Sequence, residues 1–120
     1  MSNSQVPVPP PERMATVLSA IAAQARRTNL VRAAELRAAL DRAASEGLDA
    51  ADWAAAERTA HQLAGSAGTF GYAAVSELAR SLERLLAQAG VAEVEPAELE
   101  RAGALLDQVG DELAAEPDLA

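Results

Sequence analysis

Apolar residues recur at alternating intervals of three and four positions through most of this chain, which is the spacing of amphipathic α-helices. Alanine, leucine, arginine and glutamate dominate the composition, and all four favour helices. The β-branched and aromatic residues that favour strands are scarce. The sequence therefore predicts an all-α fold whose core is packed from alanine and leucine.

The periodic pattern divides into five segments joined by short connections, beginning near Pro11, Leu30, Asp49, Tyr72 and Pro96. Short connections make neighbouring helices antiparallel. We therefore expect an antiparallel four-helix bundle with an additional N-terminal helix. The sequence leaves open whether Thr28 and Asn29 separate the first two segments or lie inside one long helix.

Each segment carries an apolar stripe that is predicted to face the core. Asp49 is placed to cap the third segment, and Gly47 to end the second. The predicted stripes are Met14, Leu18, Ile21 and Ala25; Ala33, Leu36, Leu40 and Ala43; Trp53, Ala56, Ala60, Leu63 and Ala67; Val75, Leu78, Leu82 and Leu85; and Leu99, Ala102, Leu106, Val109 and Leu113.

Length, charge and composition exclude several classes of protein. At 120 residues the chain is one domain, interpreted as a flexible proline-rich leader over residues 1–10 and a helical bundle over residues 11–116. A formal charge of -8 argues against nucleic-acid binding. The chain has no cysteine, a single histidine and no long apolar run, and we do not expect its first residues to act as a secretory signal. We expect no disulfide, no metal site, no membrane span and a cytoplasmic location.

His61, the only histidine, lies at the edge of the third segment's apolar stripe. Position 61 is rotated by about 100° from Ala60, a core position, so the imidazole is expected to face solvent. Gly65 follows one turn later on the wrong side of the helix to be explained by the core, and it leaves the surface beside the imidazole bare. Gly68 and Gly71 lie near the next turn, where glycine is common.

The stretch His61, Leu63, Ala64, Gly65, Ser66, Ala67, continuing into "GTFG" over residues 68–71, resembles the histidine-containing phosphotransfer (HPt) family of bacterial two-component signalling. It is also similar to the phosphotransfer domain of chemotaxis histidine kinases. The resemblance covers the predicted bundle over roughly residues 28 to 115. One position departs from the family pattern, because Ala64 stands where a lysine often assists the phosphoryl group.

The resemblance implies that His61 accepts a phosphoryl group from a sensor histidine kinase or its receiver domain and passes it to a response-regulator aspartate. It also implies that Glu83 orients the imidazole through Nδ1, although Glu83 could equally be a surface residue paired with Arg80 or Arg84. Receiver domains would dock on a face comprising Glu57, Arg58, Gln62, Ala64, Gly65 and Gly68. Whether Arg58 replaces the missing lysine or is only a solvated partner of nearby acids stays open.

The implied protein is a phosphocarrier and not an enzyme, since no phosphate-binding glycine loop with a lysine is present. It would need no cofactor of its own, and the Mg²⁺ of the transfer reaction would be held by the receiver partner. The alternative is a non-catalytic helical adaptor or oligomerisation module in which His61 is incidental.

Overall fold

The computed structural model describes residues 11–115 as four α-helices: α1 (Pro11–Ser45), α2 (Ala50–Thr69), α3 (Ala73–Ala89) and α4 (Pro96–Ala114). Each helix packs on its neighbours around the bundle, α1 on α2 and α4, and α3 on α2 and α4. The all-α prediction is confirmed for the described residues. The predicted leader, residues 1–10, and residue 116 of the predicted bundle lie outside them.

The expected additional N-terminal helix is wrong, because the first two predicted segments form the single helix α1. Asn29, where the sequence left open a break between two helices, is fully buried. Its Nδ2 donates to Ser66 Oγ on α2 at 3.1 Å, and its Oδ1 accepts from Arg32 at 2.9 Å. An asparagine side chain interrupts a helix by bonding to nearby backbone groups. Here the side chain is occupied by α2 and Arg32, so the helix runs through.

The helices begin and end at residues of the types that commonly cap or terminate helices. The Asp49 side chain accepts a hydrogen bond from the backbone N–H of Asp52 at 2.8 Å, which confirms the predicted cap of α2. Gly47 takes a φ of +81° immediately after α1, as a helix-terminating glycine does. Glu95 and Glu98 form a reciprocal capping box at the start of α4.

The core contains the predicted stripes of the last three helices and the second half of α1. Leu78, Leu85 and Leu99 are half-buried at its edge. The buried apolar side chains are Leu36, Leu40, Trp53, Ala56, Ala60, Leu63, Ala64, Ala67, Tyr72, Val75, Ala79, Leu82, Leu86, Ala102, Leu106, Val109 and Leu113. Alanine is frequent along α2, which lets this helix approach its neighbours closely.

The first predicted stripe lies outside the core, because α1 is longer than the helices beside it. Arg26 Nε donates to the carbonyl oxygen of Leu113 at 2.6 Å, so α4 ends level with the middle of α1. Met14, Leu18 and Ile21 are exposed as a result. The bundle is correspondingly elongated, since the 35 residues of α1 alone span about 50 Å at 1.5 Å per residue.

The α2–α3 hairpin positions the side chains around His61. Gly71 has a φ of +86° in the tight turn, and the Tyr72 N–H donates to the carbonyl of Ala67. Ser76 Oγ then donates to the carbonyl oxygen of Ala64 at 2.8 Å. These contacts hold the two antiparallel helices in one register.

Candidate functional site

The imidazole of His61 projects from the middle of α2 into solvent. Its side chain is 73% exposed, whereas the preceding residue, Ala60, is fully buried. The predicted placement of His61 outside the core stripe is therefore confirmed. A ring so exposed is accessible to a second protein without any rearrangement of the helix.

The partner of the imidazole comes from α3. His61 Nδ1 lies 3.0 Å from Glu83 Oε2, and the Glu83 side chain is 30% exposed. An ionised carboxylate only accepts hydrogen bonds, so the contact requires the proton on Nδ1. In the neutral ring the lone pair then lies on Nε2, the nitrogen farther from Glu83. The geometry gives an exposed, nucleophilic nitrogen held by a carboxylate.

The alternative in which Glu83 pairs with an arginine is not what the structure contains. Arg84 donates to Ser81 Oγ at 3.1 Å, on its own helix. Within residues 11–115, Arg80 makes neither an ion pair nor a side-chain hydrogen bond. Glu83 is thus directed to the imidazole.

A shallow groove lies between the first half of α2 and the end of α3, and its edge at Glu57 is one turn before His61. Glu57, one turn before His61, is half-buried at its edge. Ala54 and Ala87 line the groove with small side chains, and Val91, at the start of the α3–α4 connection, is 87% exposed. This groove is therefore apolar, with one acidic residue at its edge.

The three glycines after His61 differ in whether helix packing or backbone conformation requires a glycine. A Cβ on Gly65 would have no heavy atom within 4 Å, so packing does not require this glycine. A Cβ on Gly68 would lie 3.2 Å from Ser76 Oγ, so Gly68 lets α3 approach α2. Gly71 adopts the positive φ of the turn. Only Gly65 belongs to the bare surface beside His61 for a reason that packing does not explain.

One residue assigned to the predicted docking face is misplaced. Ala64 is 2% exposed and packs in the core, because its Cβ lies on the side of α2 that faces α3. A docking protein would not contact its side chain. A wheel centred on Ala60 places position 64 about 40° from the core direction and position 61 about 100° from it.

Arg58 and Gln62 are exposed on α2, as predicted. Neither makes an ion pair or side-chain hydrogen bond among the described residues. Ala87 and Val91 line the groove that begins at Glu57 and were missed, because a single sequence does not give the register between two helices. The faint signal for Val91 was an isolated valine in a short connection.

The described part of the chain holds no helix that is both long and apolar enough to cross a membrane. Within residues 11–115, no group of three or more histidine, aspartate or glutamate side chains is arranged as metal ligands would be.

The family comparison covers nearly all of this bundle. The family model described as Hpt domain matches residues 12–115, which include His61 and all of the four helices except Pro11. No curated protein and no solved structure matches the chain. Domains of this family are phosphocarrier modules of two-component phosphorelays. A helical bundle that presents one exposed histidine, matched over this length, means that the chain belongs to the histidine-containing phosphotransfer (HPt) family.

Proposed function

We propose that the chain carries a phosphoryl group on His61 Nε2, between a sensor histidine kinase or its receiver domain and a response-regulator aspartate. One observation carries the proposal: His61 is 73% exposed while its Nδ1 is held 3.0 Å from Glu83 Oε2. Holding the Nδ1 proton leaves the lone pair on the accessible nitrogen. This is the arrangement that a nucleophile needs when its reaction partner arrives on another protein.

The transfer step needs no general acid or general base from this chain. The Nε2 lone pair forms the N–P bond, and the P–O bond to the donor's aspartyl carboxylate breaks, which releases that carboxylate. The ring keeps its Nδ1 proton and becomes positively charged. Glu83 then stabilises the developing positive charge through the same 3.0 Å contact. Transfer to the next aspartate is the reverse of this step.

The partner's receiver domain would supply Mg²⁺ and the acidic pocket that holds it, so positioning and charge stabilisation are shared between the two proteins. The chain itself would not catalyse phosphoryl transfer from ATP. A receiver would dock with the groove edge at Glu57 and the bare surface at Gly65 on either side of the imidazole.

A non-catalytic adaptor is the competing function. An adaptor needs a binding surface, which the exposed Ala87 and Val91 beside α2 offer. It gives no reason, however, for a carboxylate held against the only histidine. The observed contact therefore favours the carrier.

The first experiment is transfer from a panel of phosphorylated receivers and kinases to the purified chain. We expect label that is labile in acid and stable in base, as a phosphoramidate is, with the fastest donor identifying the pathway. An absence of label from every donor, combined with capture of a stable unphosphorylated complex, would favour the adaptor.

Glu83→Ala is expected to slow phosphoryl transfer by about two- to tenfold, because one hydrogen bond of roughly 0.5–1.4 kcal/mol is lost. Nitrogen NMR of His61 should show a larger fraction of the tautomer protonated on Nε2. Glu83→Gln keeps an acceptor and should retain most of the transfer rate.

Glu77→Ala is the matched control, since Glu77 is an exposed glutamate on the same helix and forms no ion pair in the described part of the chain. A tautomer ratio that is the same in Glu83→Ala, Glu77→Ala and the unmodified chain would disprove the orienting role.

A further inference from the structure

The phosphoryl group that His61 would carry enters acidic surroundings. A bound phosphoryl group brings a charge of about −1.5 to −2. Glu83 contacts the ring, Glu57 lies one turn before it on α2, and the chain as a whole carries a charge of -8. A cation near Nε2 would therefore strengthen binding of the phosphoryl group and speed its arrival.

The helix that carries His61 does not supply this cation from the side that faces α3. Position 64, one turn ahead, is an alanine packed in the core. Arg58, one turn behind, is rotated by about 60° from His61 toward the outer side of α2.

The register of the hairpin places a cation from α3 instead. His61 contacts Glu83, and the carbonyl of Ala64 contacts Ser76. Arg80 lies between Ser76 and Glu83, so it is level with positions 64 and 65 of α2. Three residues before Glu83, it is about one helical turn from it and on a neighbouring face.

Arg80 is the α3 arginine whose guanidinium is available. Arg84 donates to Ser81 Oγ at 3.1 Å, whereas Arg80 has no ion pair or side-chain hydrogen bond among residues 11–115. Opposite Arg80, Gly65 leaves open space, because even a Cβ there would have no neighbour within 4 Å. An arginine side chain and a phosphoryl group both have room there.

We propose that Arg80 binds the phosphoryl group on His61, and that it provides from α3 the positive charge that position 64 lacks. The inference rests on the proposed function. Guanidinium donors match phosphoryl oxygens in pairs, so Arg80 would contact two oxygens of the group while Nε2 holds the phosphorus. It would act on the incoming phosphoryl group and on the phosphorylated product, with no proton transfer.

The test compares Arg80→Ala, Arg80→Lys and the matched control Arg84→Ala in transfer from the best donor of the panel. We expect Arg80→Ala to lower the transfer rate by about three- to tenfold, because Arg80 is exposed and solvent screening weakens the charge-assisted hydrogen bond that is lost. Arg80→Lys should restore at least half of the lost rate, and Arg84→Ala should match the unmodified chain.

A second measurement detects the contact itself. The chain is phosphorylated chemically with phosphoramidate, which needs no partner protein, and arginine Nε–H signals are followed by NMR. The Arg80 signal should move on phosphorylation and the Arg84 signal should not. An unmoved Arg80 signal, or equal rates for Arg80→Ala and Arg84→Ala, would overturn the inference while normal labelling of the unmodified chain upheld the carrier function. A chain that neither phosphoramidate nor any donor labels, and that captures a stable unphosphorylated complex, would refute the carrier function itself.

Discussion

His61→Gln is expected to take up no phosphoryl group from any donor that labels the unmodified chain. Glutamine has no nucleophilic ring nitrogen, and His61 is the only histidine. Because the side chain is 73% exposed, we expect the free energy of unfolding to change by less than about 0.5 kcal/mol. The measurement is labelling from the fastest donor, with circular dichroism of both proteins.

Binding separates loss of chemistry from loss of structure. A receiver that docks around His61 should still bind the His61→Gln variant, since the groove and Gly65 are unchanged. Residual acid-labile label on the variant would place the phosphoryl group elsewhere and contradict the proposal. A variant that neither binds nor folds would be replaced by His61→Asn, which also lacks the ring.

Gly65→Leu is expected to be the second severe substitution. A leucine at this position projects from the bare surface beside the imidazole, where a docking receiver would meet it. Overpacking of a close contact costs roughly 1–3 kcal/mol, which corresponds to about five- to 150-fold weaker docking. The transfer rate at subsaturating receiver concentration should fall by the same factor.

Gly110→Leu is the matched control for Gly65→Leu. Gly110 is an exposed glycine of α4, and a Cβ there also has no neighbour within 4 Å. Its substitution should leave transfer unchanged. Gly65→Ala should stabilise the helix by up to about 1 kcal/mol with little effect on docking. Equal transfer rates for Gly65→Leu and Gly110→Leu would show that Gly65 is not at the docking surface.

Periodicity predicted most of the fold because the apolar face of a helix is a local property of its own sequence. The stripe from Trp53 to Ala67 on α2 is buried as the spacing indicates. The stripe from Met14 to Ile21 has the same spacing, yet it is exposed. An apolar stripe shows that a helix has an apolar face. Whether that face is buried depends on the length of the neighbouring helices.

The site was harder to predict because it is made by two helices. His61 is placed by its own wheel, and the contact with Glu83 agrees with what the family resemblance implied. Ala64 was misassigned because a position about 40° from the core direction and one about 100° away both lie on the α3 side of α2. The role that we propose for Arg80 could not be inferred without the register of α3 on α2, which depends on contacts such as Ser76 Oγ with the Ala64 carbonyl.

The continuity of α1 has a consequence for how the chain opens locally. Residues 11–21 are all exposed, whereas Leu36 and Leu40 are buried. An isolated helix of fewer than about 12–15 residues is marginal in water, so the first three turns depend on propagation from the packed part. Amide protection against hydrogen exchange should accordingly rise along α1, from near zero at its start to the global value near Leu36. Although α1 is one continuous helix, its exposed first turns and its packed second half are thus expected to open separately. Asn29, bonded to Ser66, lies at the start of the protected part.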